Sequence, residues 1–203
     1  YVLVTALQQH DAPVVDLDAQ NLLDEVGLHN ELYQVNWHNE TLARVSQAVK
    51  DSLELASPVT HYGTSEVKVE NIASNRRVVL ENGNITYSRG SRSGGNEFMA
   101  KAPEGDIDPM LKTITFFNND KALLQLHHYA THPMSYYGQG AVSADFVGLA
   151  RARLQRENQS IRQIFVPGCG GDVTAGKYNN GSEDHRQELI ERLYNAMART
   201  SRN

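Results

Sequence analysis

The chain has 203 residues, enough for one ordinary domain or a large piece of a bigger one, and long enough to bury roughly 70% of the surface its unfolded form exposes. Apolar residues are 40% and charged residues 21%, a globular balance that excludes collagen-like and disordered classes. Nineteen Lys and Arg against 24 Asp and Glu leave a net charge of −5, so no global field gathers polyanions and nucleic acid is not an expected partner.

The first seven residues, YVLVTAL, are β-branched and apolar with almost no polar interruption, the pattern of a strand covered on both faces, and they run into the polar loop QQHDAP. Residues 37–55 repeat Leu42, Val45, Val49 and Leu53 at three- and four-residue spacing, which predicts an amphipathic helix covering the sheet and stopped by Pro58. Residues 59–70 alternate and read as a strand. The Asn-Gly pair of ENGN, between RVVL and ITYS, marks a β-hairpin. Residues 88–108, rich in Gly and Ser, form a connection long enough to be functional or mobile.

Two strands follow, LKTITFF and KALLQLHHYA, joined at NND, and the second ends in THPMSYYGQG. A helix over 144–157 leads to the strand RQIFV, which ends in PGCGGDVTAGKYNNG, and a last helix over 183–199 carries Leu189, Leu193 and Met197 on one stripe. The expected fold class is α/β, one domain over 1–203 with a mixed β-sheet, helices packed on its faces and functional loops at strand carboxyl ends. No run approaches the ~18 apolar residues of a membrane span. The chain begins without Met inside an apolar run that lacks a basic flank, so an upstream segment is expected.

Three apolar strands thus deliver reactive side chains into loops at their carboxyl ends, where α/β sheets bind ligands, and one site built from three loops brings His10, His132 and Asp172 together. An imidazole at such a place is a metal ligand, a base or a hydrogen-bonded core residue. His10 is followed by Asp11, an acceptor for its second ring nitrogen, and Pro133 fixes the direction of His132. The spacing from His128 to His132 matches helical zinc sites, but that run is strand-like. In GCGGDVTAGKYNNG the Walker pattern is absent, because Lys177 precedes Tyr178. Thr174 beside Asp172 in a glycine nest is a candidate nucleophile with amide donors around it; the alternative is that both cap a turn. The single cysteine, Cys169, makes neither an internal disulfide nor a cysteine zinc cluster.

The order QQHDAP, SNRR, APEGDIDP, YATHPMSYYG with VSADFVG, then GCGGDVTAGKYN resembles the N-terminal catalytic domain of the neutral/alkaline non-lysosomal ceramidase family, as a divergent member and a fragment. The resemblance implies a zinc-dependent amidase of sphingolipid metabolism that cleaves an N-acyl bond of a small-molecule or lipid amide. His132 matches a zinc-binding His. The family's HxH pair falls on Gln8 and His10, so Gln8 stands where the first zinc ligand would be, and a Gln carbonyl is a poor zinc ligand beside imidazole. Arg76 matches an Arg that contacts substrate, Thr174 stands where the family has a nucleophilic Ser, and Asp145 matches an acid after the His turn. The family's remaining zinc ligands, a Glu and a Tyr, lie downstream of this chain's last residue. One zinc ion, held weakly or not at all, and an exported location are what the resemblance implies.

Two functions therefore stand. In the first, zinc on His10, His132 and the Gln8 position assists attack by Thr174 or water, with Asp172 beside the nucleophile. Arg76, Gly170, Gly171 and Lys177 line the substrate. In the second, a decayed scaffold binds a lipid or carbohydrate.

Overall fold

The computed structural model describes residues 3–201 and divides into two compact units, one formed by residues 3–11 with 59–201 and the other by residues 12–58. In the smaller unit α1 (Leu17–Asp24) starts at Asp16, whose carboxylate accepts from Ala19 N at 2.9 Å. Gln20 ties the unit together: its Oε1 accepts from Leu32 N and Tyr33 N, and its Nε2 donates to Leu28 O. Helix α2 (Val35–Glu54) forms where the periodicity predicts it. Leu42, Val45, Val49 and Leu53 are 39–75% exposed, and α2 has no buried residue. A 3.6-residue period decides that a segment is helical; burial needs a partner surface that local sequence does not supply.

The larger unit is built on a four-stranded mixed sheet. Strands β1 (His61–Lys68), β5 (Met110–Asn118) and β6 (Lys121–Tyr129) pair antiparallel, and β7 (Arg162–Pro167) adds to β6 in parallel, giving the order β1-β5-β6-β7. The NND turn between β5 and β6 places Asn119 at φ 49°, a left-handed position that Asn tolerates. Three short strands complete the set before and between these: β2 (Ser74–Asn75), with β3 (Val78–Val79) and β4 (Ile85–Thr86) forming the expected hairpin, its Gly83 at φ 82°. Strand β8 (Val173–Thr174) pairs with β2.

Helices α4 (Asp145–Glu157) and α5 (Glu183–Thr200) pack on the sheet and on each other. Ser182 caps α5 by accepting from His185 N, and the apolar stripe Leu189, Ile190, Leu193 and Met197 closes over Leu111, Tyr129 and Phe165 with Phe146 and Leu154 of α4. Residues 88–108 are not an open loop: they hold a 3-10 turn and α3 (Glu97–Lys101), anchored by Arg89. That side chain is fully buried and donates to the carbonyls of Asn75, Met99, Ala102 and Pro103.

The expected first strand is corrected. Tyr1 and Val2 lie outside the described residues, and residues 3–7 form no strand, with Leu3 at 88% and Val4 at 87% exposed. β-branched composition marks a segment able to be a strand, but a strand exists only where a neighbouring edge accepts its ladder. Here the ladder next to β7 ends with β6 among the described residues.

Candidate functional site

Because β6 and β7 run parallel, their carboxyl ends share one edge, and the loops beyond them meet. Gly168 N donates to Tyr129 O at 2.9 Å, and His132 N donates to Val173 O at 2.9 Å. The His132 ring then donates from Nδ1 to Gly170 O at 2.7 Å. A Cβ on Gly170 would stand 2.9 Å from the Thr131 carbonyl carbon and 3.1 Å from His132 N, so the close approach requires glycine. His132 is buried, and that burial leads in pulling its pKa below 6.5, against the Gly170 bond and with Arg76 and His10 adding to the fall. Burial disfavours the charged ring, and with the Nδ1 proton bonded to Gly170 O the lone pair of the neutral form lies on Nε2.

The third loop arrives without a strand. Gln9 Nε2 donates to Ser143 O at 2.5 Å, Ser143 N donates to Asp11 O at 2.9 Å, and Gly138 N donates to Asp11 Oδ1 at 2.9 Å. So clipped, the exposed His10 ring stacks at a tilt 5.2 Å from His132 and 6.3 Å from Tyr137. Asp11 serves this loop rather than the second nitrogen of His10. Gln8, also exposed, has a φ of 55°. Arg76 N donates to Asp172 O at 2.7 Å beside β2, and the half-buried Arg76 side chain carries a buried Nε with no hydrogen-bond partner among the described residues.

The other sequence-derived candidates are placed as follows. Asp172 gives its carboxylate to Arg77 and to Asn75 Nδ2, so its charge is engaged. Thr174 is fully buried in β8 and donates from Oγ1 to Ser91 Oγ at 3.0 Å. Lys177 is half-buried with its ammonium on the carbonyls of Ala100 at 2.5 Å and Ala102 at 2.6 Å, where burial and Arg89 lower its pKa. Gly171 is exposed, with open space where a side chain would be.

Asn179, Ser91 and Ser135 hold these loops in place and carry no signal of their own in the sequence, whereas Asp145 is matched only through the resemblance. Asn179 is fully buried and donates from Nδ2 to Ser91 O at 2.7 Å and to Ser135 O at 2.8 Å, joining the 88–108 segment to the loop that carries His132. Asp145, also buried, accepts from Ser135 N at 2.8 Å, from the Ser135 hydroxyl and from Phe146 N at 2.6 Å, and its φ of 47° is a left-handed strain held by those bonds. An Asn in a Gly-rich run and a Ser after a Pro are common in plain turns, so spacing alone does not set them apart.

Zinc requires three or four ligands, and His132 Nε2 with His10 supplies two imidazoles. Among the described residues no group of three His, Cys, Asp or Glu could hold a metal ion. Among the described residues, those that would hold a zinc ion are His132 and His10, with Gln8 beside them, and the two imidazoles alone do not complete the set.

No protein-family profile matches the chain, and no curated protein matches it. It is similar to two solved structures, a ceramidase complexed with C2, at 14% identity and a TM-score of 0.49, and the neutral ceramidase from Pseudomonas aeruginosa, at 16% identity and a TM-score of 0.49. In each case the likeness covers 69% of this chain and 22% of the other. The chain thus spans less than a quarter of the length of those proteins.

Proposed function

We propose that the chain is part of a ceramidase-like hydrolase that cleaves the amide of an N-acylated small molecule or lipid. The observation behind this reading is the buried His132, whose Nδ1 donates to Gly170 O and leaves Nε2 to act, with the His10 ring 5.2 Å away. The motif resemblance supplies the reaction class. Water is the attacking group in this reading, because Thr174 is fully buried with its hydroxyl proton directed to Ser91. His132 Nε2 accepts the proton of that water as its oxygen adds to the acyl carbonyl. The Arg76 guanidinium faces the charge that develops on the carbonyl oxygen, and His132 returns the proton to the leaving amine. Zinc, where bound by His132, His10 and the Gln8 position, would polarise the carbonyl as a Lewis acid; no step above depends on it.

The test measures fatty-acid release from N-acyl sphingosine and simpler N-acyl amides, alongside elemental analysis for zinc. His132→Asn is expected to lower the rate by about 100-fold or more. A protein that cleaves none of these amides, or an H132N variant as active as its parent, overturns the reading. An exported location belongs to the same proposal and is tested by fractionating the producing cells.

A second reading, a decayed scaffold that binds lipid or carbohydrate, draws on Gln8 at the ligand position and on the burial of Thr174. Here Gln8→His is expected to raise zinc affinity and to create hydrolysis that the parent lacks; strong activity of the parent excludes it.

A further inference from the structure

The loop that carries His132 continues into Ser135, Tyr136, Tyr137 and Gly138, and each of its tyrosine rings carries an arginine on its face. The Arg92 guanidinium lies 3.8 Å from the centre of the Tyr137 ring and donates to Tyr137 O, while Arg186 lies 5.4 Å from the centre of Tyr136. Tyr137 in turn is 6.3 Å from His10, which is 5.2 Å from His132, so Arg92 stands at the end of a continuous row that starts at the candidate base. Together with Arg76, three guanidiniums surround these loops, and none of them pairs with a carboxylate among the described residues.

The acids of the same loops are bonded elsewhere, so none of them is an ion-pair partner of these three arginines. Asp11 accepts from Gly138 N, Asp145 holds Ser135, and Asp172 pairs with Arg77. Buried donors are left over as well. Among the described residues Arg76 Nε and Arg186 Nε are buried with no acceptor, and so is the hydroxyl of Thr131, the residue before His132. Buried polar groups are ordinarily paired, and a surplus of donors is satisfied by an acceptor, not by another donor. The chain as a whole is acidic, with a net charge of −5, so this local surplus runs against its average.

We propose that the site takes an amide bearing an anionic group, a carboxylate or a phosphate, on the side that faces Arg92, and that Arg92 determines this preference. The inference rests on the hydrolase reading for the word amide and on the arginine cluster for the charge. A guanidinium stacked on a tyrosine is pre-oriented, so its remaining N–H groups form charge-assisted bonds with an anion at little further ordering cost.

The experiment compares three probes of equal acyl length, N-octanoylglycine, N-octanoylethanolamine and the phosphate ester of N-octanoylethanolamine, by hydrolysis and, separately, by calorimetric binding. Both anionic probes, or one of them, are expected to bind about tenfold more tightly than the neutral one at low salt, with the gap closing as ionic strength rises. Whichever anion binds identifies its kind. Arg92→Gln is expected to remove most of that gap, and Arg92→Lys to restore part of it, with circular dichroism checking the fold of both. Equal binding of all three probes, or a gap that R92Q leaves intact, overturns the proposal. Binding with charge preference but no hydrolysis of any probe overturns the hydrolase reading alone.

Discussion

At the scale of single residues, the site depends on side chains that never touch a substrate. Asn179 closes two carbonyls from different loops with one amide group, and both carbonyls belong to buried residues, Ser91 and Ser135. Truncation strands two acceptors away from water, so Asn179→Ala is expected to cost about 3 kcal/mol in urea unfolding and to lower any activity more than an exposed-site change would. Asp145 acts in the same way on Ser135. The roles suggested for Asp172 and Lys177 from their types and neighbours meet a different arrangement: the carboxylate is spent on Arg77, and the ammonium on the end of α3. A sequence shows that an Asp and a Lys are near a glycine nest in the chain; it does not show which partners reach them first.

At the scale of elements, close approach decides which glycines matter. A Cβ on Gly176 would fall 1.8 Å from Gly90 O, a backbone atom that cannot swing aside. Gly176→Ala is therefore expected to push the 88–95 stretch off the β8 loop and to destabilise the fold by about 3 kcal/mol or more, read by urea unfolding, whereas Gly171→Ala, in open space, is expected to be nearly silent. Helices α2 and α5 are of similar length, and both are amphipathic in sequence. α5 buries six residues and α2 none. Helical stability in proteins comes mostly from the packed face, so amides of α2 are expected to exchange with solvent at least about tenfold faster than those in the centre of α5, as hydrogen exchange with mass spectrometry would read. Equal protection would mean that α2 gains its stability from something other than burial.

At the scale of the whole molecule, a buried polar line runs across the sheet. His127 in β6 pairs at Nδ1 with Thr113 Oγ1 in β5 and at Nε2 with Gln163 Oε1 in β7, each at 2.8 Å, and Thr113 continues to Thr200 at the end of α5. Burial is the main cause that lowers the His127 pKa below 6.5, opposed by the Gln163 bond. The sign follows directly. The unfolded chain takes up a proton near 6.5 while the folded ring refuses it until lower pH, so stability is full above about 6.5 and declines as pH falls toward the folded value. The urea midpoint is expected to drop between pH 7 and pH 5, and His127→Gln is expected to flatten part of that slope. A slope unchanged by H127Q would remove His127 as a source.

The sequence by itself determined the four long strands of the sheet, the hairpin at Gly83, the α4 and α5 helices, and the meeting of the His132 and Gly170 loops, because periodicity and turn chemistry are local and two parallel strands share a carboxyl edge; it read residues 88–108 as a loop and did not show α3 or the short strands β2 and β8. It determined that His10 and His132 are worth watching. Only the tertiary structure decided that residues 3–7 pair with no strand, that no residue of α2 is buried, that Thr174 points its proton at Ser91, and that three arginines with no carboxylate partner among the described residues gather around one loop. Those outcomes depend on which surfaces and charges arrive from distant parts of the chain, and hydrogen bonds, burial and ion pairs are settled by such arrivals and not by neighbours in sequence.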